Sequence, residues 1–375
     1  MILQSDISRR VIDLSPRLGA PSLARCLVGS GRVSCATGRA RSVHTRALGE
    51  ACERSFSFSP PCIVGRRRLD TLPEDLRDWF EVLLEGAGPD TCFDMVTVED
   101  ISGERRCQMP ALLATLAAHC DDAALPYRDS SGTAVHVSRP RALYAAVLEF
   151  AERQSLTAFW YFGHGHRHWR LHDGLLGLND ETRATFAVLE TWGEVELAEI
   201  SLFSDVSVIL AVLRGRRAPV RFGAGGAGAG TQSQAIAKAV QELYQAVVLT
   251  EQLSCERAGQ STGAEEDPQG GYTSGEDALT TGYMTFNTEQ GAAEVCDAMA
   301  AARPLVRPAE LCARPLLHHT DVLRTDASGP ALHLSVLHGV EAFPGMILVG
   351  SPAEALAAVR YGLPEPIRSG SVPFA

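Results

Sequence analysis

Three segments of the chain repeat one arrangement of acidic side chains. The segment "ALGEACER" contains Glu50, Glu53 and Arg54, and "VLEFAERQ" contains Glu149, Glu152 and Arg153 at the same spacing. A third segment, "VQELYQ", keeps Glu242 and Gln245 three residues apart. Residues three and four apart lie on one face of a helix, so each segment is predicted to direct its polar side chains to one side.

Apolar residues surround each acidic segment, which predicts helices that are mostly buried. Carboxylates that converge near a core repel one another, and burying them unpaired is costly, so a cation must neutralise them. Either arginine side chains do this alone or a divalent metal does. Oxygen ligands without a His and Cys cage favour Mg²⁺, which commonly binds one or two carboxylates together with phosphate oxygens. The pattern therefore indicates a Mg²⁺-nucleotide site or, alternatively, ordinary ion pairs on charged helix faces.

Lys238 is the one lysine of the sequence and stands four residues before Glu242. The spacing predicts either an ion pair between these side chains or a contact from the ammonium group to a nucleotide phosphate. Just upstream, "RFGAGGAGAGTQ" carries a glycine run from Gly223 to Gly230. The run contains a GxGxxG spacing but lacks an acidic residue in the expected strand about 20 residues on. A glycine-permitted turn, in which the backbone approaches a ligand or another strand, explains it as well as a dinucleotide site does.

Four histidines in "HGHRHWRLH" raise the question of a metal site: His164, His166, His168 and His172. Alternating histidines on a strand share one face and are suitable zinc ligands. Arginines crowd the same stretch and no Cys or Asp pattern completes a ligand set, so a solvated polar loop is expected. The sequence contains no GxSxG, HExxH, Walker A or kinase motif, and it indicates no covalent nucleophile.

Composition limits the class of protein. With 375 residues, of which 45% are hydrophobic, the chain is long enough for one large or two ordinary globular domains. Its net charge of -11 argues against a nucleic-acid partner and against anionic membranes. The longest apolar runs are far shorter than the roughly 20 residues that span a bilayer. The ten cysteines lack CxxC and zinc-finger spacing, which predicts reduced thiols, mostly in the core of a cytoplasmic protein.

Periodicity and turn residues predict helices that alternate with strands. Helices are expected in "LPEDLRDWFEVLLEG" and from about Pro140 onward, and strands in "FDMVTVEDI", "VELAEISL" and "ALHLSVL". A hairpin is expected to turn at Ser204 and Asp205. These elements predict a mixed α/β fold with a sheet covered by helices. Residues 258–281 are predicted to form a surface loop, and residues 364–375, which contain three prolines, an extended tail.

Together, the acidic segments and the glycine run resemble the YcaO family of ATP-dependent enzymes that modify peptide backbones. The resemblance rests on "ALGEACER", "VLEFAERQ" and "FGAGGAGAGTQSQAIAKAVQELYQ" in this order, and it extends from about residue 34 to the ending "RSGSVPFA". Within the family, motif order, length and ending are similar to the cyclodehydratase subunits of microcin B-type synthetases. The resemblance implies one domain over residues 1–375, of α/β (α+β) class, with mixed sheets covered by helices and the ATP site between them.

The resemblance also implies roles for individual residues. The implied Mg²⁺ ligands are Glu50, Glu53, Glu149, Glu152 and Glu242. The implied ATP contacts are Arg54, Lys238, Gln245 and Glu242. Glu50 and Glu149 are the implied catalytic residues, and a catalytic part for the carboxyl end at Ala375 is a further hypothesis. The chain departs from the family at Arg46, where serine is common, at Ala145, where a small polar residue is frequent, and in a reduced proline pattern at its end.

Cyclodehydration is the reaction that the resemblance implies. A Cys, Ser or Thr side chain of a precursor peptide attacks the preceding backbone carbonyl, the oxyanion takes the γ-phosphoryl group of ATP, and phosphate leaves to give a thiazoline or oxazoline. The implied partners are the precursor peptide, a ThiF-like or leader-peptide-binding subunit, and an FMN-dependent azoline dehydrogenase. The alternatives are thioamide or amidine formation, a non-catalytic assembly subunit, and a nicotinamide-dependent oxidoreductase.

Overall fold

The computed structural model describes most of the chain. The described residues are 7–12, 22–28, 32–38, 40–84, 87, 90–117, 124–125, 129–170, 178–260, 285–324, 331–370 and 372–374. No helix among them is long and apolar enough to cross a membrane. The six cysteines described in detail are free thiols, but only Cys52 and Cys296 are buried. The prediction of unpaired thiols holds for these six, whereas the prediction that most lie in the core is wrong for them.

The helices of the described chain include the predicted ones. They are α1 (Ala40–Ser57), α2 (Glu74–Leu83), α3 (Arg139–Phe162), α4 (Asp180–Leu189), α5 (Gln232–Gln260), α6 (Glu289–Ala301) and α7 (Pro352–Tyr361). Pro140 lies in the first turn of α3, where its missing N–H costs no hydrogen bond. The same helix ends at Gly163, whose φ of 74° is left-handed and allows a C-cap.

The strands also include the predicted ones. They are β1 (Ile7–Ile12), β2 (Ser22–Val28), β3 (Arg32–Gly38), β4 (Gly65–Arg68), β5 (Cys92–Asp100), β6 (Arg106–Pro110), β7 (Thr133–His136), β8 (Arg167–Arg170), β9 (Gly193–Glu199), β10 (Ser207–Arg217), β11 (Val220–Ala229), β12 (Leu316–Arg324) and β13 (Ala331–Gly339). The predicted hairpin is β9–β10, because its connection contains Ser204 and Asp205.

The strands form three antiparallel sheets within the described residues. The first sheet has the order β1-β2-β3, the second β4-β5-β12-β13-β7 with β6 added beside β5, and the third β11-β10-β9-β8. Since every ladder is antiparallel, the predicted mixed α/β fold takes the α+β form. Apolar side chains of α3 and α5 pack on opposite faces of the third sheet and form two separate cores.

Glycines let two helices approach β11 closely. A Cβ on Gly225 would lie 2.2 Å from the backbone nitrogen of Leu243 in α5. On the other face, a Cβ on Gly228 would lie 2.6 Å from the carbonyl oxygen of Leu148 in α3. The glycines do permit a close approach of backbone, but to two helices rather than to a ligand or another strand. The run is a strand, so the predictions of a turn and of a strand-turn-helix dinucleotide loop are wrong.

The described part of the C-terminal tail contains no helix or strand and docks on the C-terminal half of α3. The Ile367 N–H donates to the carbonyl oxygen of Tyr161 at 2.7 Å. The Arg368 guanidinium lies 4.8 Å from the centre of the Trp160 ring, and the Phe374 ring packs against the same indole at 6.0 Å. In the predicted surface loop, residues 258–260 are the end of α5, and residues 261–281 lie outside the described chain.

Gly225→Ala is expected to destabilise the fold by about 3 kcal/mol or more, because the added methyl group meets backbone atoms that no side-chain rotation moves. Thermal unfolding measures the loss. The matched control is Gly49→Ala in α1, where nothing lies within 4 Å of the added Cβ. That change is expected to be neutral or stabilising by about 0.5–1 kcal/mol. Equal melting temperatures for the two variants would contradict the close packing of α5 on β11.

Candidate functional site

The candidate site lies at the outer edge of β11, the last strand of the third sheet. The N–H of Gly228 donates to Oε2 of Glu152 on α3 at 3.2 Å. The carbonyl oxygen of the same glycine accepts a hydrogen bond from Nζ of Lys238 on α5 at 3.4 Å. Both main-chain groups of Gly228 therefore point away from β10, and the two helices that cover opposite faces of the sheet meet around its edge.

Arg153 lies between two glutamates of α3. Its Nε atom is 3.8 Å from Oε1 of Glu149 and 3.8 Å from Oε1 of Glu152. Burial acts to lower the pKa of Arg153, but the carboxylates of Glu152, Glu149 and Glu242 raise it above its ordinary value. The guanidinium therefore remains charged and holds the two α3 carboxylates beside each other.

The carboxyl groups of the cluster have raised pKa values. Burial and then repulsion from Glu53 raise the pKa of Glu149 well above its ordinary value. Burial also raises the pKa of Glu152, although Arg153 and a backbone hydrogen bond act in the opposite direction. Loss of water and repulsion from Glu152 raise the pKa of Glu242.

Helix α1 brings the two other glutamates to this cluster. It buries a stripe of residues at every fourth position, Val43, Ala47 and Ala51. Glu50 and Glu53 lie beside this stripe and are half-buried. The negative charge of Glu53 acts on Glu149, and that of Glu50 acts on Glu242. The five glutamates predicted as metal ligands thus come together from three helices, and we call them the glutamate cluster.

The glutamate cluster is an open cleft rather than a closed pocket. Glu152 is buried, Glu149 is half-buried, and Glu242 and Lys238 are exposed. The expectation that the carboxylates lie near a core is therefore confirmed for Glu152 and wrong for Glu242, because α5 turns the latter toward solvent at the edge of the sheet. A ligand from solution has direct access to the cluster.

The composition of the cluster fits Mg²⁺ that is shared with a nucleotide. Among the described residues, no three His, Cys, Asp or Glu side chains are arranged to hold an ion by themselves. Mg²⁺ is usually bound by one or two carboxylates together with substrate phosphates and water, so it does not need a closed protein cage. Loss of water and then repulsion between neighbouring carboxylates raise the pKa values of Glu149 and Glu242, and the opposite effect of Arg153 does not cancel them. A divalent cation bound at the cluster would offset this repulsion.

Other predicted site residues form no described hydrogen bond or ion pair with the glutamates. Within the described contacts, Lys238 forms no ion pair with Glu242 and binds a carbonyl of β11 instead. Gln245 is half-buried one turn after Glu242, and no described contact joins it to the cluster. The side chain of Arg54 and all of Ala375 lie outside the described residues. Phosphate contacts by Lys238, Gln245 and Arg54 remain predictions.

Asp129 is a charged residue beside the cluster that sequence reasoning missed. Its Oδ2 atom accepts the N–H of Met346 at 2.8 Å, and its Oδ1 atom accepts the N–H of Ser131 at 2.9 Å. Nη1 of Arg153 lies 3.4 Å from the sulfur of Met346, so Asp129 fixes the loop that contacts the guanidinium. The one signal in the sequence is the turn-like "DSSG", which many surface turns share.

The histidine-rich segment has a structural role. Nε2 of His164 and Nε2 of His166 lie 3.1 and 2.7 Å from the carbonyl oxygen of Ser201. Burial lowers the pKa of His164 to about 4, so this histidine is neutral. The expectation of a solvated loop is wrong here, since His164 is fully buried and residues 167–170 form β8. His172 lies outside the described residues.

A family model described as "YcaO cyclodehydratase, ATP-ad Mg2+-binding" matches residues 41–338. The chain belongs to the YcaO family. The resemblance seen in the sequence is confirmed, and ATP and Mg²⁺, which the family description states, are the cofactors of this YcaO chain. No curated protein sequence matches it.

Solved structures confirm the predicted YcaO-type fold. A chain of the E. coli microcin synthetase McbBCD complex with pro-MccB17 bound superposes with a TM-score of 0.75 at 15% identity, covering 98% of this chain and 96% of that one. YcaO from Methanopyrus kandleri bound with AMPPCP and Mg²⁺ gives 0.59 at 14% identity, with 90% and 86% covered. A heterocyclase in complex with substrate and cofactor gives 0.60 at 13% identity, with 97% of this YcaO chain and 53% of that chain covered.

Glu149→Gln is expected to raise the melting temperature of the metal-free protein at neutral and higher pH. A carboxyl group whose pKa is raised in the folded state binds its proton more tightly there than in the unfolded chain. The carboxyl group of Glu149 therefore destabilises the fold increasingly as the pH rises from the ordinary pKa of a glutamate through its raised pKa in the folded state. The neutral amide removes this loss, so the gain in melting temperature should shrink as pH is lowered.

The same variant should lose much of the stabilisation that Mg²⁺ gives the wild type, since a bound ion stabilises only the state that binds it. Calorimetric melting with and without Mg²⁺ tests both effects. Glu294→Gln, an exposed position on α6, is the matched control. An unchanged Mg²⁺ response in Glu149→Gln would show that Glu149 is not a metal ligand.

Proposed function

We propose that the chain is an ATP-dependent peptide cyclodehydratase that converts Cys, Ser or Thr of a ribosomal precursor peptide into a thiazoline or oxazoline. The observation that carries the proposal is the convergence of five glutamates from three helices at the outer edge of β11. Membership of a family described as cyclodehydratases supports the reaction class. The similar E. coli structure is a complex with pro-MccB17 bound, which supports a peptide as the substrate of this chain too.

The proposed reaction transfers the carbonyl oxygen of the peptide to phosphate. The thiol or hydroxyl loses its proton as its sulfur or oxygen bonds to the preceding carbonyl carbon, and the carbonyl π electrons move to oxygen. This oxygen bonds to the γ-phosphorus of ATP while the bond to the β-phosphate oxygen breaks, releasing ADP. The carbon–oxygen bond then breaks to release phosphate, and loss of the amide proton forms the C=N bond of the azoline. The oxygen of the eliminated water ends in phosphate.

The chain's own residues supply binding, orientation and charge. Glu50, Glu53, Glu149, Glu152 and Glu242 are the proposed Mg²⁺ ligands. When bound, Mg²⁺ supplies Lewis-acid stabilisation of phosphoryl charge. Lys238, at the mouth of the cleft, is suited to a phosphate oxygen because its ammonium group is exposed and only one carbonyl holds it. We assign Arg54 and Gln245 to the nucleotide as well, following the family pattern, and Glu50 and Glu149 to catalysis.

The proposed setting is a cytoplasmic complex. A ThiF-like or leader-peptide-binding subunit would deliver the precursor, and an FMN-dependent dehydrogenase would oxidise azolines to azoles in the manner of microcin-type antibiotic biosynthesis. The similarity to a chain of a synthetase complex supports partner subunits in general. The net charge of -11 supports a substrate that is not a nucleic acid.

Glu50→Gln is expected to lower peptide-dependent ATP turnover by about two to three orders of magnitude, because it removes a carboxylate proposed to hold the Mg²⁺ that stabilises phosphoryl charge. Mass spectrometry of the peptide together with a phosphate-release assay checks both halves of the reaction. Glu81→Gln, exposed on α2, is the matched control. Unchanged turnover in Glu50→Gln would place catalysis in another subunit and make this chain an assembly subunit.

The product mass separates cyclodehydration from its alternatives within the family. Each azoline lowers the peptide mass by one water, whereas a thioamide replaces oxygen by sulfur and raises it. A nicotinamide oxidoreductase is disfavoured, because the glycine spacing that suggested it lies inside a strand rather than between a strand and a helix. Dinucleotide binding in a titration that shows no ATP binding would overturn the proposal.

The tail gives a separate test of the proposed catalytic part of Ala375. Phe374 packs against Phe159 and Trp160 and is 4% exposed, so the described part of the tail is anchored up to this residue. Adding one alanine after Ala375 moves the terminal carboxylate by about 3.5 Å without disturbing that anchor. We expect turnover to fall at least tenfold with an unchanged melting temperature. Equal turnover in the extended chain would exclude a catalytic carboxyl terminus.

A further inference from the structure

The outer edge of β11 carries main-chain groups that follow a fixed alternation. Residues 222–229 pair with β10 in regular register, so alternate residues point their N–H and C=O groups away from the sheet. Gly228 points outward, as its bonds to Glu152 and Lys238 show. Gly226, two residues earlier, must point the same way. These outward groups define what we call the open edge.

Gly230 follows directly after the strand, in a bend. A Cβ on Gly226 would meet Leu156 at 3.1 Å, and one on Gly230 would meet the hydroxyl of Tyr144 at 3.2 Å. Both positions therefore face α3, as Gly228 does, and we infer that Gly230 also points its N–H and C=O groups outward. Gly226 is partly exposed and Gly230 is exposed. The described part of the chain forms no hydrogen bond to the outward groups of Gly226 or Gly230.

The open edge lies against the glutamate cluster. Residues of a strand rise by about 3.3 Å each, so the two accessible glycines lie about 13 Å apart with Gly228 midway. Gly228 is the point at which Glu152 and Lys238 bind the edge. Any ligand that pairs with Gly226 and Gly230 at once must therefore pass directly over the proposed site of phosphoryl transfer.

We propose that the open edge binds the main chain of the substrate peptide as an added strand, through Gly226 and Gly230; this rests on the proposed function. An extended peptide presents N–H and C=O groups together at the spacing of the edge, as in other cases of strand addition. A phosphate group has acceptors alone, so the outward carbonyls would repel it. The edge recognises backbone, which suits an enzyme whose target atom is a backbone carbonyl oxygen.

The bonds already made by Gly228 explain why one amide of the bound peptide stays reactive. Because Glu152 and Lys238 hold both main-chain groups of Gly228, the peptide unit opposite it gains no partner from the edge. That amide lies beside the glutamate cluster with its carbonyl oxygen uncommitted. The pairs at Gly226 and Gly230 hold the peptide, and the unpaired position opposite Gly228 exposes one amide to the γ-phosphoryl group.

The first experiment compares Gly230→Pro with Gly230→Ala in the full chain. Both variants add a carbon that meets the tip of a mobile Tyr144 side chain, but only proline removes the outward N–H. We expect proline to bind a synthetic single-cysteine Gly/Ser-rich peptide about three- to tenfold more weakly than alanine does, the effect of one hydrogen bond. The two variants should bind Mg²⁺-ATP equally. Equal peptide affinities, or a loss of nucleotide affinity in proline alone, would overturn the inference.

The second experiment scans the same synthetic peptide with N-methyl groups, one amide at a time, on the wild-type chain. Strand addition through Gly226 and Gly230 requires a loss of affinity at two amides four residues apart, with no loss at the amides between them, because Gly228 offers no partner and alternate N–H groups face away from the edge. A uniform response along the peptide, or none, overturns the inference. Failure of the proposed function is distinguishable from this, since it would appear as ATP-independent or absent water loss while this two-site pattern of binding persists.

Discussion

The structure depends on one contact in which a buried carboxylate binds the backbone of an edge strand. Glu152 is 8% exposed and loses most of its hydration, and the N–H of Gly228 replaces part of it. Without that donor, burial of the charged Glu152 carboxylate would cost too much free energy, and no polar contact would hold α3 against β11 at this point. Because Lys238 binds the other main-chain group of the same glycine, α5 is tied to the same place. The edge of the sheet thereby sets the position of both acidic helices.

The glycines of β11 are the geometric condition for this contact. Gly225 admits α5 on one face, and Gly228 admits α3 on the other, at distances that any Cβ would prevent. Helices held further from the sheet would leave the glutamates of α3 and α5 too far apart to act on each other. An edge of this kind is ordinarily a risk for unwanted strand pairing, and charged side chains across it are a common protection. Here the protecting charges, Glu152 and Lys238, also belong to the candidate site.

Local spacing predicted much of the fold and part of the site. The acidic pairs lie on helices as their three- and four-residue spacing required, and α3 begins at Arg139, which places Pro140 in the first turn, where proline fits. Glycine-rich β11 was missed because glycine has little strand propensity, and only packing between two helices explains it. The contact of Lys238 with the edge, and the contact of Asp129 with the loop over Arg153, depend on segments distant in sequence. Convergence of the glutamates followed from the family resemblance, not from periodicity.

The signs of the charges make metal and nucleotide binding dependent on each other. Glu149 and Glu242 already have raised pKa values in the metal-free chain, so the cluster repels any further negative charge. A nucleotide polyphosphate brings several such charges to an exposed cleft where Arg153 is committed to two carboxylates. The exposed ammonium group of Lys238 compensates one of the negative charges of the nucleotide. At the proposed site, divalent cations would therefore bind together with the nucleotide, and their positive charge would replace the repulsion between the glutamates by attraction to the ions.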